Sequence, residues 1–359
     1  MKKAGCMSAM ILLAASFACA DMPVASIRWI DRDYDFGLMK EQAGPKTGHS
    51  RFVNLGPDTI SIFSVKPSCG CTSAEFSDAP IAPGDTALIA YTYDPEMRPG
   101  KFDKSVKVRL SNGDRYSIRI TGNVLGTPES LATLYPVDAG EMRLTDAVIN
   151  AGDITDTESQ VFFFNAYSLP LDTIYPSVKS PSAGLVINPS KPKAGPGDLI
   201  TYSLNFLPRR HSQYGPVEIP VEFTADPAGG SEPVTVTFRA FVLPDTERLS
   251  LRQQGKNPIC EPAPDPIDLG MSVSGPVKTE FTIRNAGKAP LDILRIFSTS
   301  EAVRFDKIPD RIKPGKTARI KVEFDPALLP SGPFRIPLGI ITTDPLHPHL
   351  ELPLAGIKP

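Results

Sequence analysis

A chain of 359 residues is too long for one ordinary hydrophobic core, so two or three domains are expected. Its 41% hydrophobic and 22% charged residues are a globular composition that excludes wholesale disorder. A formal net charge of −2, about −4 once the leader described next is removed, leaves no net attraction to nucleic acid or an anionic membrane. The 38 prolines are spread along the whole chain, which suits turns and edge strands and argues against long helices.

Residues 1–20 read as an export signal. Met1-Lys2-Lys3 is a short positive start, residues 10–15 are the centre of a short apolar run, and Ala18-Cys19-Ala20 is a small-residue cleavage site before Asp21. The competing reading is lipidation at Cys19, but Ser16 stands where a lipobox carries Leu, and the bulky Phe17 follows it. No later stretch reaches the roughly 18 apolar residues of a membrane-spanning helix. The expected location is therefore the periplasm or the medium. Cleavage leaves Cys69, Cys71 and Cys260, an odd number, so at least one thiol lacks an intramolecular partner.

From residue 27 onward one pattern is written three times. Each unit opens on Asp-x-Gly, at Asp35-Phe36-Gly37, Asp138-Ala139-Gly140 and Asp268-Leu269-Gly270. An apolar run then ends near an asparagine turn at Asn54, Asn165 and Asn285. A Pro-Gly turn follows at Gly84, Gly197 and Gly315, and a strand-ending proline at Pro95, Pro208 and Pro326. The asparagine-to-glycine separations are 30, 32 and 30 residues, and the glycine-to-proline separations are 11 in all three. Residues 318–324 alternate cleanly, with Ile320, Val322 and Phe324 inward and Arg319, Lys321 and Glu323 outward, as in a half-buried antiparallel strand. Units of about 100 residues with about seven short strands each predict an all-β chain of three tandem immunoglobulin-like β-sandwich domains. The expected ranges are 27–126, 133–245 and 262–359. The prolines between them predict short semi-rigid linkers, with Cys260 in the second. Trp29, the only tryptophan, is expected to pack just ahead of the first Asp-x-Gly.

At Ser68-Cys69-Gly70-Cys71-Thr72 the first unit resembles the bacterial domain of unknown function 1573 family. Asp35-Phe36-Gly37, Asn54-Leu55-Gly56, Pro83-Gly84 and Gly100-Lys101-Phe102 carry the same resemblance over about residues 30–125. The second and third units share the frame without Cys-Gly-Cys and look more like Hydin-type immunoglobulin-like docking modules. The resemblance implies an exported protein with an immunoglobulin-like fold and no established activity.

Cys69 and Cys71 are the one reactive-looking pair. Three readings stand: a static local thiol pair or disulfide, a redox-active disulfide, or two sulfurs on one side of a strand holding Cu(I) or Zn(II). Two thiolates alone do not complete a tetrahedral set. His347-Pro348-His349 has ligand-like spacing in a proline-rich turn, His49 and His211 stand alone, and Asp31, Asp33 and Asp35 lack the glycine spacing of a calcium loop. No serine-nucleophile elbow, phosphate loop or His-Glu-x-x-His helix occurs. The sequence thus predicts a non-enzymatic binding or scaffold protein of the cell envelope. Its partner would be a protein or glycan, with no nucleic acid and no transmembrane segment. The alternative is a periplasmic thiol-redox or copper-handling protein using Cys69 and Cys71.

Overall fold

The computed structural model describes residues 26–169, 173–253, 255–263 and 266–359. The leader, the cleavage site before Asp21 and the alternative lipidation site Cys19 lie outside the described residues. Six sheets form, and strand order sorts them into three pairs built on one plan. In the first pair, Ile27–Asp31, Lys46–Asn54, Thr86–Tyr93 and Thr72–Phe76 make one sheet; Tyr34–Lys40, Arg115–Leu125, Gly100–Leu110 and Ile62–Pro67 make the other. The second pair repeats this order with Met142–Leu144, Gln160–Ser168, Leu199–Phe206 and Leu185–Pro189 against Val148–Thr155, Val234–Leu243, Gly215–Thr224 and Ser177–Lys179. The third does so with Cys260–Pro262, Val277–Asn285, Thr317–Phe324 and Val303–Phe305 against Ile267–Asp268, His349–Lys358, Gly332–Thr342 and Leu291–Ser298. Val137–Ala139 and Arg311–Ile312 extend single sheets of the second and third pairs. The chain is all-β in the sandwich manner expected.

The first sandwich up to Asn123, without residues 97–101, is one compact unit, and residues 97–101 and those from Val124 onward belong to another. That second unit holds two separate cores, one around Phe206, Phe223 and Phe238 and one around Ile320, Val322 and Phe324. Alternation places these side chains. Ile320, Val322 and Phe324 are buried while Arg319, Lys321 and Glu323 face water, so one strand supplies core and surface by turns.

The repeated landmarks have a common physical basis. In each Asp-x-Gly the glycine N–H donates to the aspartate carboxylate, at 2.9, 3.0 and 2.8 Å. The glycines sit at φ +64°, +72° and +91°, a backbone region that side chains other than glycine's rarely adopt. Asn54 and Asn285 are fully buried. Each carboxamide donates to two carbonyls, Asp58 and Ile81 or Ala289 and Ile312, and accepts from Gly56 or Gly287. Each main chain also receives the N–H of the Pro-Gly glycine, Gly84 or Gly315, at 2.8 Å.

Asn165 departs from this scheme. It is exposed, and the position that receives the Gly197 N–H is Ser168, buried with its hydroxyl unpartnered among the described residues. A serine hydroxyl cannot span two carbonyls as a carboxamide does, and Ser168 meets the Pro-Gly turn through its main chain, at Gly197 N and Asp198 O. Two other expectations change. The linkers contain short helices, Pro128–Leu134 and Thr246–Gln253, capped by Thr127 Oγ1 on Ser130 N and Asp245 Oδ1 on Arg248 N. Cys260 belongs to no linker. It lies in strand Cys260–Pro262, paired with Asn285, and it is buried. Trp29 packs as expected, its ring edge-on to Phe52 and Tyr116 at 5.3 and 5.9 Å.

Candidate functional site

Strands Ile62–Pro67 and Thr72–Phe76 are edges of the two sheets of the first sandwich, and the chain crosses from one to the other through Ser68-Cys69-Gly70-Cys71. Both ends of this turn are tied down. Ser68 N donates to Ser105 O at 2.8 Å, Ser105 N returns a bond to Ser68 Oγ at 3.1 Å, and Asp94 N donates to Cys71 O at 2.9 Å. Between these anchors Cys69 and Cys71 are joined as a disulfide with Cα atoms 5.3 Å apart. Thr72 Oγ1 lies 3.6 and 3.8 Å from the two sulfurs. Cys71 is buried, Cys69 half-buried, and the exposed Gly70 has open space around it.

In the joined form neither sulfur is a thiolate, so the pair cannot ligate Cu(I) or Zn(II). Among the described residues no group of three or more His, Cys, Asp or Glu is arranged to hold a metal ion. As a staple the bond is weak. Loop-closure entropy for three residues corresponds to about 1.5 kcal/mol, against about 3 kcal/mol for a fifteen-residue loop.

The turn delivers the chain into an open edge. Asp94 N bonds Cys71 O, and Ser73 pairs with Thr92 and Glu75 with Ala90. By antiparallel alternation the N–H and C=O groups of Thr72, Ala74 and Phe76 point away from the sheet. Beside this edge lies a cleft of about 600 Å³ lined by Ile62, Phe76, Ile81 and Leu88, with Glu75 and Asp85 at its polar side. Phe76 and Leu88 are exposed there.

The other candidate residues are dispersed. Asp31 pairs with Arg51, Asp33 accepts from Arg119 N, and Asp35 accepts from Gly37 N, so the three acids serve three separate bonds. His347 and His349 diverge. His347 is exposed with Nδ1 3.9 Å from Asp344, while the His349 ring lies 4.8 Å from that of Phe241 and 6.2 Å from that of Phe297. Their turn is organised by Asp344, fully buried, which accepts from Leu346 N, His347 N and Cys260 N. His49 is exposed beside Tyr34, and His211 Nδ1 meets Ser182 Oγ at 3.2 Å. Burial pushes the Cys260 thiol up to about 12, and the neighbouring Asp344 adds to the effect.

Counting charge over the whole chain missed one feature. On the other sheet of the first sandwich, a cleft of about 650 Å³ is lined by Arg32, Lys66, Lys107, Arg109 and Arg115, and no carboxylate lines it. Strand alternation makes part of this legible, since Lys107, Arg109, Arg115, Ser117 and Arg119 occupy outward positions of two neighbouring strands.

No helix of the described residues is long and apolar enough to cross a membrane. No curated protein matches the chain. Among solved structures, a protein of unknown function from Porphyromonas gingivalis W83 is 16% identical, with a TM-score of 0.48 over 61% of this chain and 100% of that one. The secreted serine protease VesC from Vibrio cholerae is 13% identical, with a TM-score of 0.29 over 60% and 50%. The human desmocollin-1 ectodomain is 10% identical, with a TM-score of 0.24 over 91% and 57%. Likenesses of this degree carry no functional argument. A family model is more telling. It takes in the first sandwich at residues 27–124, with its Cys-Gly-Cys turn. It also takes in residues 265–347 of the third, which the sequence set beside Hydin-type modules. The second sandwich, where Ser168 stands in for the buried asparagine, is outside the match. Over half of the chain is covered, and the chain belongs to the family described as protein of unknown function DUF1573.

Proposed function

We propose that this is an exported, non-enzymatic binding or scaffold protein of the cell envelope, and that its first immunoglobulin-like sandwich docks a protein partner by strand addition. The observation that carries the reading is the open edge Thr72–Phe76, with outward main-chain groups at Thr72, Ala74 and Phe76 beside an apolar cleft. Edge N–H and C=O groups supply affinity in this mode, and pockets for alternate side chains supply selectivity. The edge is lightly defended. Its five residues contain one charge, Glu75, and no proline. The leader-like residues 1–20 support the envelope location.

Ala74→Pro tests the docking mode. Proline is tolerated where the edge N–H faces solvent, and it removes a donor that an added strand needs. Envelope protein retained by the wild-type chain should be lost by Ala74→Pro while the sandwich stays folded by circular dichroism. Equal retention by both overturns strand addition at this edge.

A second reading, thiol–disulfide exchange, is favoured by one observation: Cys69 is half-buried in a bond that adds little as a staple. Redox titration followed by alkylation mapping separates the two. A Cys69–Cys71 couple poised near that of periplasmic oxidoreductases supports exchange, and a bond resistant to such reductants supports a static turn.

A further inference from the structure

We propose that the basic cleft on the sheet containing Ile62–Pro67, Gly100–Leu110 and Arg115–Leu125 is a binding site for an anionic glycan, a sugar chain carrying carboxylate, sulfate or phosphate groups. The site lies on a different sheet from the edge Thr72–Phe76, and its failure would leave the docking reading untouched.

Three observations carry it. The first is unbalanced charge. Arg32, Lys66, Lys107, Arg109 and Arg115 are all exposed around one cleft, and none forms an ion pair among the described residues. Acids next to these cations in the chain, or on the same sheet, are engaged elsewhere. Asp114 accepts from Ser26, Asn112 and Tyr116, Asp103 is taken by Arg119, and Asp31 by Arg51. Four outward cations of the third sandwich are met by acids instead, Lys278 by Glu323, Arg284 by Glu261, Arg311 by Asp292 and Arg319 by Glu280.

The second is register. Lys66 lies directly opposite Lys107, and Ser64 opposite Arg109. Like charges directly opposite on one face of a sheet oppose folding. A face that works against its own stability has the signature of a binding surface whose ligand supplies the missing charge. Side chains two residues apart along a strand are roughly 7 Å apart, and neighbouring strands roughly 5 Å, so these cations form a short lattice suited to a chain of regularly spaced anions.

The third is what else the cleft offers. The Ser64 and Ser117 side chains provide hydroxyls for sugar contacts. Arg32 Nε donates to Ser117 O at 3.0 Å, which fixes one edge of the guanidinium and leaves its other N–H groups to a ligand. Binding of single-stranded nucleic acid calls for open ring faces on which bases stack. Here the ring that lines the cleft, Tyr116, is held against Trp29 with its hydroxyl on Asp114, while the exposed Phe63, with Arg109 over one face at 4.8 Å, is outside the lining. The rings therefore favour a sugar polyanion over an oligonucleotide.

The test uses the full chain with heparin as the polyanionic glycan. Neutral dextran, an oligothymidylate of matched charge, and phosphatidylcholine vesicles containing phosphatidylglycerol serve as comparisons. Heparin should bind saturably and weaken steeply with salt. Lys107→Glu should weaken it by about tenfold or more, since one attraction becomes a repulsion. Arg335→Glu, the same charge change on the corresponding sheet of the third sandwich, should leave binding nearly unchanged. Lys107→Glu should also slow exchange of the most protected amides of the first sandwich by about twofold to fivefold, because it turns a like-charge pair into an opposite one. Absence of saturable binding, equal loss in the two variants, or faster exchange in Lys107→Glu overturns the proposal. So does dextran, oligothymidylate or vesicle binding as tight as that of heparin.

Discussion

Asn285→Ala removes the carboxamide around which the first turn of the third sandwich is wound. A long bond from Ile259 N to Oδ1 at 3.4 Å goes with it, and so do three short ones: Nδ2 to Ala289 O at 2.8 Å, Nδ2 to Ile312 O at 3.0 Å, and Gly287 N to Oδ1 at 3.0 Å. At about 1 kcal/mol each they amount to about 3 kcal/mol, and a buried Ile312 carbonyl left without its donor adds about 1 kcal/mol. The loss of about 3–4 kcal/mol falls on a domain stability of about 5–15 kcal/mol, so the sandwich stays folded and becomes easier to open. Hydrogen exchange followed by peptide mass is the suitable assay, because it reads each sandwich separately within the intact chain. With each 1.4 kcal/mol worth a factor of ten, the slowest amides of strand Val277–Asn285 should exchange about 100- to 1000-fold faster. Asn165→Ala is the internal control. That side chain is exposed and accepts one bond, from Thr201 Oγ1 at 2.8 Å, so exchange in the second sandwich should change by about twofold at most. An acceleration below about fivefold for Asn285→Ala, or an equal effect at Asn165, would refute the assignment of the buried asparagine as the organiser of the turn.

Two further outcomes are expected in the third sandwich. Val322→Asp should unfold it, since an unpaired charge at a fully buried position costs several kcal/mol, while Lys321→Asp on the outward side should cost less than about 1 kcal/mol; circular dichroism and exchange would show equal damage if the register were wrong. Alkaline pH should loosen the same domain. The Cys260 thiol is raised by burial from 9 to about 12, so its contribution is intact below pH 9 and is lost as pH rises towards 12, where the unfolded chain has released a proton that the folded chain keeps. A denaturation midpoint whose fall over this window is as steep in Cys260→Ala would assign the effect to other groups.

Much of the fold is legible in the sequence because the repeat is written in strongly constrained residues. Asp-x-Gly predicts a left-handed glycine, and Ile320, Val322 and Phe324 alternate with Arg319, Lys321 and Glu323 in the register the strand adopts. The errors have equally local causes. Val161-Phe162-Phe163-Phe164-Asn165 imitates Arg51-Phe52-Val53-Asn54 in composition, but Asn165 faces water and the turn position is Ser168, a residue whose type does not advertise burial. Thr127-Pro128 and Asp245-Thr246 are N-cap signals that surrounding prolines obscure, and so two short helices read as plain linkers. Placing Cys260 in a linker followed from the same emphasis on proline; its pairing with Asn285 depends on a strand of three residues, too short for any periodicity to show. The basic cleft was half legible. Lys107, Arg109 and Arg115 follow from alternation, but Lys66 and Arg32 join them only through the order of strands in space, and summing charge over 359 residues cancels them against distant acids.

One plan built three times allows its copies to diverge in how far they depart from stability. The two strands central to the basic sheet have counterparts in the other sandwiches. In the second, Glu218 lies opposite Arg239 with a bond of 2.9 Å, and Pro220 and Glu222 lie opposite Thr237 and Thr235. In the third, Arg335 lies opposite Ala355, Pro337 opposite Pro353 and Gly339 opposite Glu351. Neither copy sets like charges against each other at these positions, and on the neighbouring pair of strands the second sets Lys179 against Glu222 and the third Arg295 against Ile341, whereas the first sets Lys66 against Lys107 there. The first copy also carries the Cys69–Cys71 turn and the open edge that follows it. Like-charge opposition costs about 0.2–1 kcal/mol, which is tolerable in one domain of three when the others hold their own cores. Departures from good sheet practice concentrated in one of three similar frames are what the proposed anion site on that frame would produce. Moving the five cations onto the third sandwich while neutralising them on the first would therefore be expected to move anion binding with them and to return stability to the domain that lost the charges.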